Sequence, residues 1–307
     1  MKPYFIGTRS SALALAQTSW VRDQLQKKFP DQRFELRLIK TQGDYLQKHT
    51  ETSASVLLSK GLFTKELETA LLSKEIDFAV HSLKDLPTES TPDLTIAAIP
   101  TRASAHDVLI AKHITRFEDL PERAFLATGS PRRQQELLRL RPDLQFISIR
   151  GNIDTRLKKL EQNPQWHGLI LAAAGLERLA LATQNFNVIP LDDEILLPAP
   201  GQGALAIQTR ADDVETQTLA HSLEDPMTRC CVETERQFLA GLDGGCRFPL
   251  GARALLKDKE IYLRIRLYLD RPPGLKNEYC FPIIDAPRNS YEEALKMRQL
   301  YIRKSNY

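Results

Sequence analysis

The sequence predicts an α/β protein of two lobes built on parallel-rich sheets, followed by a small α+β domain. Three observations predict it. Short β-rich runs alternate with amphipathic helical periods across residues 4–200, the pattern of strand–helix–strand architecture. Pro100-Thr101-Arg102 and Pro198-Ala199-Pro200-Gly201 form a matched pair of breaks, as expected when one lobe is inserted into another. Beyond Gly251 the pattern changes to strand-like segments closed by a polar helix.

Taken in order, Tyr4–Ile6, Phe34–Ile39, Phe78–Val80, Thr95–Ile99, Val108–Ile110, Phe125–Ala127, Gln145–Ile149 and Leu169–Ala172 read as strands. Between them, Ser11–Leu25, Phe63–Ser73, Pro131–Leu140 and Ile153–Glu161 carry apolar residues at three- and four-residue spacing and read as helices. Asp225-Pro226 is a strong helix start, with Asp as cap and Pro at the first position, and its helix runs to about Leu239. Strand-like segments follow around Ile261–Tyr268 and Tyr279–Ile284, then a helix from about Ser290. The expected division is residues 1–100 with 201–221 as a first, discontinuous lobe, 101–200 as a second, and 222–307 as the C-terminal domain. No internal repeat or low-complexity tract interrupts this plan.

Composition narrows the function. The chain has 307 residues, long for a single core, and 42% of them are hydrophobic, enough to fill two or three. Lys+Arg is 42 against Asp+Glu 39, so the net charge of +3 is too balanced for a diffuse nucleic-acid-coating surface. Any anion site is therefore local. Cys230, Cys231, Cys246 and Cys280 form no C-x-x-C pair, and no His stands at ligand spacing, so no metal site is expected. With no signal-like start and no apolar run of transmembrane length, the expectation is a soluble chain in a reduced cytoplasm, away from membranes.

Four predicted strand ends run into helix starts that combine small or hydroxyl residues with arginine. They are Gly7-Thr8-Arg9-Ser10-Ser11, Thr128-Gly129-Ser130-Pro131-Arg132-Arg133, Arg150-Gly151-Asn152-Ile153-Asp154-Thr155-Arg156 and Ala173-Ala174-Gly175-Leu176-Glu177-Arg178. Helix N-termini present unpaired N–H groups and partial positive charge, and the guanidinium fork grips a carboxylate in two places. Each arginine taken singly reads as a solvated helix face; four such turns at strand ends read as anion seats facing one cleft. His81-Ser82-Leu83-Lys84-Asp85-Leu86-Pro87 adds a cation beside a carboxylate at another strand end, with Asp85 the candidate for chemistry and local backbone capping its blander role. No nucleophile stands beside His81, which reads as structural. Lys60 precedes a helix and reads as a loop cation.

The last candidate is Leu242-Asp243-Gly244-Gly245-Cys246-Arg247-Phe248-Pro249. A lone cysteine is most often a small buried hydrophobe. Here a glycine pair gives the backbone freedom and Arg247 favours the thiolate, so Cys246 reads as an attachment point.

Together, Gly7–Ser11, Lys60–Glu68, His81–Pro87, Arg132-Arg133, Arg150–Leu157, Ala174–Leu179, Leu197–Gly203 and Gly244–Cys246 resemble the porphobilinogen deaminase (hydroxymethylbilane synthase) family, in order over residues 4–251. The resemblance implies two periplasmic-receptor-like lobes with a small third domain, and a transferase acting as a monomer in the cytoplasm. It joins four porphobilinogen molecules head to tail with release of ammonia, on a dipyrromethane cofactor held by a thioether, and hydrolyses off the linear tetrapyrrole. By the same resemblance Cys246 carries the cofactor and Asp85 is catalytic. Ser82, Lys84, Asp85, Thr128, Ser130, Arg132, Arg133 and Arg156 hold the cofactor. Arg9, Ser11, Gln17, Arg150, Arg156, Arg178 and Gln202 bind substrate, and Lys60 belongs to a lid. The chain departs from the family at Val56-Leu57-Leu58-Ser59, where many members carry a lysine, and the resemblance is slight beyond Gly251. Two other classes compete. A receptor-type binding protein would share the lobes, but the missing export signal and the Gly244-Gly245-Cys246 segment stand against it, and a ligand-sensing partner of DNA would require a helix-turn-helix that the chain lacks.

Overall fold

A computed structural model describes residues 2–39, 64–180, 184–242, 249–258, 260–268, 278–283, 289–290 and 292–296. In chain order the elements are β1 (Tyr4–Thr8), α1 (Ala12–Lys28), β2 (Phe34–Leu38), α2 (Lys65–Leu72), β3 (Phe78–Ser82), β4 (Leu94–Ala98), β5 (Asp107–Ala111), β6 (Phe125–Ala127), α3 (Pro131–Leu140), β7 (Gln145–Ile147), α4 (Ile153–Gln162), β8 (Gly168–Ala172), α5 (Ala173–Leu179), β9 (Asn187–Leu191), β10 (Leu205–Arg210), α6 (Val214–His221), α7 (Pro226–Gly241), β11 (Leu250–Lys257), β12 (Glu260–Leu267) and β13 (Glu278–Ile283).

The chain divides into two compact units, Met1–Ala103 with Ala204–Arg229 and Ser104–Gly203 with Cys230–Tyr307. Each contains a five-stranded sheet of the same plan. In the first unit the order is β2-β1-β3-β10-β4, with β1 parallel to β2 and β3, and β10 antiparallel to both β3 and β4. In the second it is β7-β6-β8-β5-β9, with β6 parallel to β7 and β8, and β5 antiparallel to β8 and β9. The parallel-rich α/β class expected from the sequence is thus present twice. A third, antiparallel sheet, β11-β12-β13, completes the chain.

Cores account for this arrangement. Ile6, Phe78, Val80, Leu205 and Ile207 of the first sheet close on Val21 and Leu25 of α1, each such side chain contributing roughly 1.5–3 kcal/mol through removal from water. In the second unit, Leu109, Leu126 and Ile170 pack with Leu137 of α3 on one side of the sheet, and Val108, Ala127 and Leu169 with Leu157 and Leu160 of α4 on the other. Side-chain caps open α1, α3 and α7, as the sequence indicated at Asp225. Ser11 accepts from Ala14 N at 3.3 Å, Ser130 accepts from Arg133 N with Pro131 opening the helix, and Asp225 Oδ1 accepts from Met227 N and Thr228 N.

The C-terminal segment has its own hydrophobic cluster, in which Phe238 and Leu242 pack with Leu263 and Ile265, yet it shares a compact unit with the second lobe. The reason is polar. Arg266 on β12 and Glu136 on α3 form an ion pair at 2.9 Å, both side chains fully buried, and Ala252 N donates to Pro198 O at 2.8 Å. A Cβ on Gly251 would sit 2.5 Å from Glu136 Oε1 and 2.8 Å from Leu197 Cβ, so only glycine lets β11 come this close. The first unit also runs on to Arg229, past the expected boundary at 221.

Candidate functional site

In the first unit the parallel strands β1 and β3 end side by side, and a pocket lies at their carboxyl ends, where open α/β sheets place ligands. Arg9, Ser11, Gln17, His81, Ser82 and Asp85 line it. Five of these six were predicted as site residues, and the fold gathers them from two separate sequence segments, 9–17 and 81–85. Gln17 is buried, with its amide Nε2 2.9 Å from Ser82 Oγ, so helix α1 and strand β3 meet through these two side chains. Asp85 closes a single turn of 3₁₀-helix, Leu83–Asp85. Buried Leu83 and Leu86 flank the turn, and Leu83 N donates to Ala204 O at 3.0 Å. The Asp85 side chain is exposed on this pinned turn.

His81, read as structural, is buried against Gln208. Gln208 Nε2 donates to Glu68 Oε1 at 3.2 Å, which leaves Gln208 Oε1 to accept from His81 Nε2–H at 3.0 Å and so assigns the tautomer. Burial lowers the His81 pKa to about 4, only partly opposed by the Gln208 hydrogen bond and reinforced by the positive charge of Arg9. The folded protein therefore resists a proton that the unfolded chain accepts near pH 6.5. Between about pH 4 and 6.5 the unfolded state holds more protons, so stability falls as the pH is lowered through this window, by at most about 1.4 kcal/mol per pH unit. Urea midpoints over this range should fall more steeply for the parent than for His81→Gln; parallel curves would contradict the account.

In the second unit the predicted arginines occupy two environments. Arg132 and Arg133, on the first turn of α3, are 6% and 8% exposed and turn onto Asp107 at the start of β5. Arg133 Nε and Nη2 reach Asp107 Oδ1 at 3.1 and 2.7 Å, and Arg132 Nη2 reaches Oδ2 at 2.7 Å. Each also donates to a carbonyl, Arg132 to Leu197 O at 2.5 Å and Arg133 to Ile170 O at 2.9 Å. Gln202, 1% exposed, donates to Ala105 O at 2.7 Å and Asp107 Oδ1 at 3.1 Å. Thr128 is fully buried and accepts from Ser130 N at 3.2 Å, holding the turn before α3.

Arg156 and Arg178 differ. Arg156 Nε donates to Gly151 O at 2.7 Å, a carbonyl presented by a residue at φ +112 that favours glycine, and Arg178 Nη2 donates to Gly203 O at 2.7 Å. Among the described residues neither has a carboxylate within ion-pair distance. Burial, and then the neighbouring charge of Arg133, lower the Arg156 pKa to about 10. Burial likewise lowers that of Arg178, partly offset by Glu177. Arg150 is exposed, Lys84 half-buried. Lys60 and Cys246 lie outside the described residues.

Asp107 and the Glu136–Arg266 pair were not anticipated. Asp107 stands immediately before an apolar run, where a lone carboxylate looks like a strand cap. Only the fold shows it opposite two arginines.

A family model described as "Porphobilinogen deaminase, dipyromethane cofactor binding domain" matches residues 4–218, and the C-terminal domain model of the same enzyme matches residues 229–276. The chain belongs to the porphobilinogen deaminase family. The porphobilinogen deaminase of Brevibacillus brevis is 47% identical over 264 residues, covering 86% of this chain and 84% of that one. That of Chlorobium luteolum is 39% identical over 297 residues, covering 96% and 93%. Among solved structures, the methionine-binding protein MetQ matches at TM-score 0.45 and 13% identity, covering 72% of this chain and 89% of that chain. The family is a transferase of tetrapyrrole biosynthesis, its substrate is porphobilinogen, and the matched domain binds a dipyrromethane cofactor. The C-terminal match extends beyond Gly251, where motif resemblance had faded. No helix among the described residues is long and apolar enough to cross a membrane.

Proposed function

We propose that this chain assembles hydroxymethylbilane from four porphobilinogen molecules on a dipyrromethane bound through a thioether to Cys246, with Asp85 as the catalytic carboxylate. The observation that carries the reading is Arg156, a half-buried guanidinium with no carboxylate among the described residues within ion-pair distance. A buried charge is costly unless it is paired, and each pyrrole ring of substrate and cofactor brings an acetate and a propionate. Arg156 and Arg178 thus fit an anionic ligand, and the residues present match the dipyrromethane. When bound, the cofactor supplies the pyrrole carbon to which the first substrate ring is joined.

The chain's own groups then divide the work. Arg9, with the capping hydroxyl of Ser11 and the amide of Gln17, meets the carboxylates of incoming substrate in the first-unit pocket. Arg150, Arg156, Arg178 and Gln202 extend that role to the growing chain. Ser82, Lys84, Thr128, Ser130, Arg132 and Arg133 orient the cofactor. Asp85 accepts the pyrrole N–H. Breaking the C–N bond of the protonated aminomethyl group releases ammonia and leaves a cationic azafulvene, which a fixed carboxylate stabilises most where the charge develops. A C–C bond then forms, the ring carbon loses its proton, and Asp85 takes it. Lys60 covers the bound chain. We place the enzyme in the cytoplasm, as a monomer, where a reactive thiol stays reduced.

Arg156→Gln tests the binding role. Losing one charge-assisted hydrogen bond to a carboxylate, about 1.5–3 kcal/mol, should raise KM for porphobilinogen roughly ten- to a hundredfold. Thermal stability should stay level or rise, because an unpaired buried cation is removed. A KM within twofold of the parent would overturn the assignment.

A further inference from the structure

We infer that Asp107 is a positioning residue for cofactor assembly: its carboxylate, braced by the Gln202 amide, fixes the Arg132 and Arg133 guanidiniums in the orientation that receives the dipyrromethane side chains. The inference rests on the reading, given above, that these two arginines hold the cofactor. Asp107 itself is fully buried, and its two oxygens take donors from both arginines and from Gln202.

Stoichiometry separates this cluster from an ordinary structural ion pair. Three guanidiniums, Arg132, Arg133 and Arg156, stand in one electrostatic neighbourhood, as the effect of Arg132 and Asp107 on Arg133, and of Arg133 on Arg156, shows. Among the described residues Asp107 is the carboxylate paired with them, while the charge of Glu136 is matched by Arg266. Positive charge remains in surplus. Donors remain too. A guanidinium has five N–H bonds, and the hydrogen bonds to Asp107, Leu197 O and Ile170 O engage two nitrogens of Arg132 and three of Arg133, leaving N–H groups on each for another acceptor. A carboxylate that took all the charge and all the donors would block an anionic ligand. Asp107 instead removes the freedom of two long side chains and leaves part of their capacity open, which is preorganisation.

Gln202 continues the scaffold. Beside it, Gly201 N donates to Glu235 Oε2 at 2.7 Å, and Glu235 Oε1 accepts from Ala254 N at 2.9 Å. Helix α7, which precedes Cys246 in the chain, therefore anchors the turn that braces Asp107.

The test uses full-length Asp107→Asn, Gln202→Met, Arg133→Gln and the double variant Asp107→Asn/Arg133→Gln. Each is purified without cofactor, reconstituted with porphobilinogen, and followed by intact mass for the rate of covalent adduct formation. Circular dichroism establishes folding before reconstitution. Adduct formation should slow at least tenfold in Asp107→Asn and severalfold in Gln202→Met. Asp107→Asn should add less to the defect of Arg133→Gln than it costs in the parent, because the carboxylate acts in part through that arginine. Parent-like loading in folded Asp107→Asn, with slow loading in Arg133→Gln, would overturn the inference while leaving the cofactor role of the arginines standing. A fully additive double variant would overturn it as well. Should Asp107→Asn fail to fold, parent-like loading in Gln202→Met decides against it. Parent-like loading in every variant would remove the arginine reading along with the inference.

Discussion

Asp85→Asn yields a folded protein that still binds porphobilinogen and turns it over roughly a hundred- to a thousandfold more slowly, the scale at which a preorganised electrostatic group contributes to a developing charge. Its fold is preserved because the side chain is exposed and the turn beneath it depends on Leu83, Leu86 and the backbone bond from Leu83 N to Ala204 O, none of which involves the carboxylate. Exposed substitutions away from such anchors usually change stability by no more than about 0.5 kcal/mol. The loss is specific to charge: asparagine keeps the shape and one acceptor oxygen but carries no negative charge toward the azafulvene cation. KM should therefore move little while kcat collapses, the pattern of an interaction made chiefly in the transition state. Steady-state kinetics on matched, cofactor-loaded preparations make the comparison, and an unchanged kcat would remove Asp85 from the mechanism.

Much of this was legible in the chain because local rules govern it. Pro131–Leu140 was read to the residue from its apolar spacing, and the structure adds the reason for its start, a Ser130 cap with Pro131 at the first position. The Asp225-Pro226 start of α7 was equally plain. Less legible were β9 and β10, whose pairing partners lie far away in sequence; β9 pairs with β5, β10 runs antiparallel between β3 and β4, and no local pattern specifies that. The same limit applied to polar chemistry. Arg132 and Arg133 were readable as a cationic pair at a helix start, but the sequence could not show that both turn inward, because the deciding partner, Asp107, is 25 residues from Arg132 and on another element. Arg156 and Arg178 were readable as anion ligands from their place in the turns. That they are half-buried with no carboxylate partner among the described residues, which gives the reading its energetic force, is visible only in three dimensions. His81 was readable as structural, and the Glu68–Gln208 chain behind it explains how.

Cys246→Ser removes activity altogether, because the attachment chemistry needs a thiolate and serine supplies none near neutral pH. Two of the other cysteines are poorly suited to stand in. Cys231 is 8% exposed, and burial together with Glu233 raises the pKa of Cys230 on α7, which leaves less thiolate. In the sequence Gly244-Gly245-Cys246-Arg247 the thiol instead has a guanidinium-bearing residue as its chain neighbour, which favours the thiolate. The central claim, a dipyrromethane bound covalently at Cys246, is tested most directly by the intact mass of the denatured parent and of Cys246→Ser, each purified and then exposed to porphobilinogen. The account predicts a parent heavier by one dipyrromethane and a variant at its bare polypeptide mass. An adduct that persists in Cys246→Ser, or a parent that stays bare after reconstitution, would contradict it.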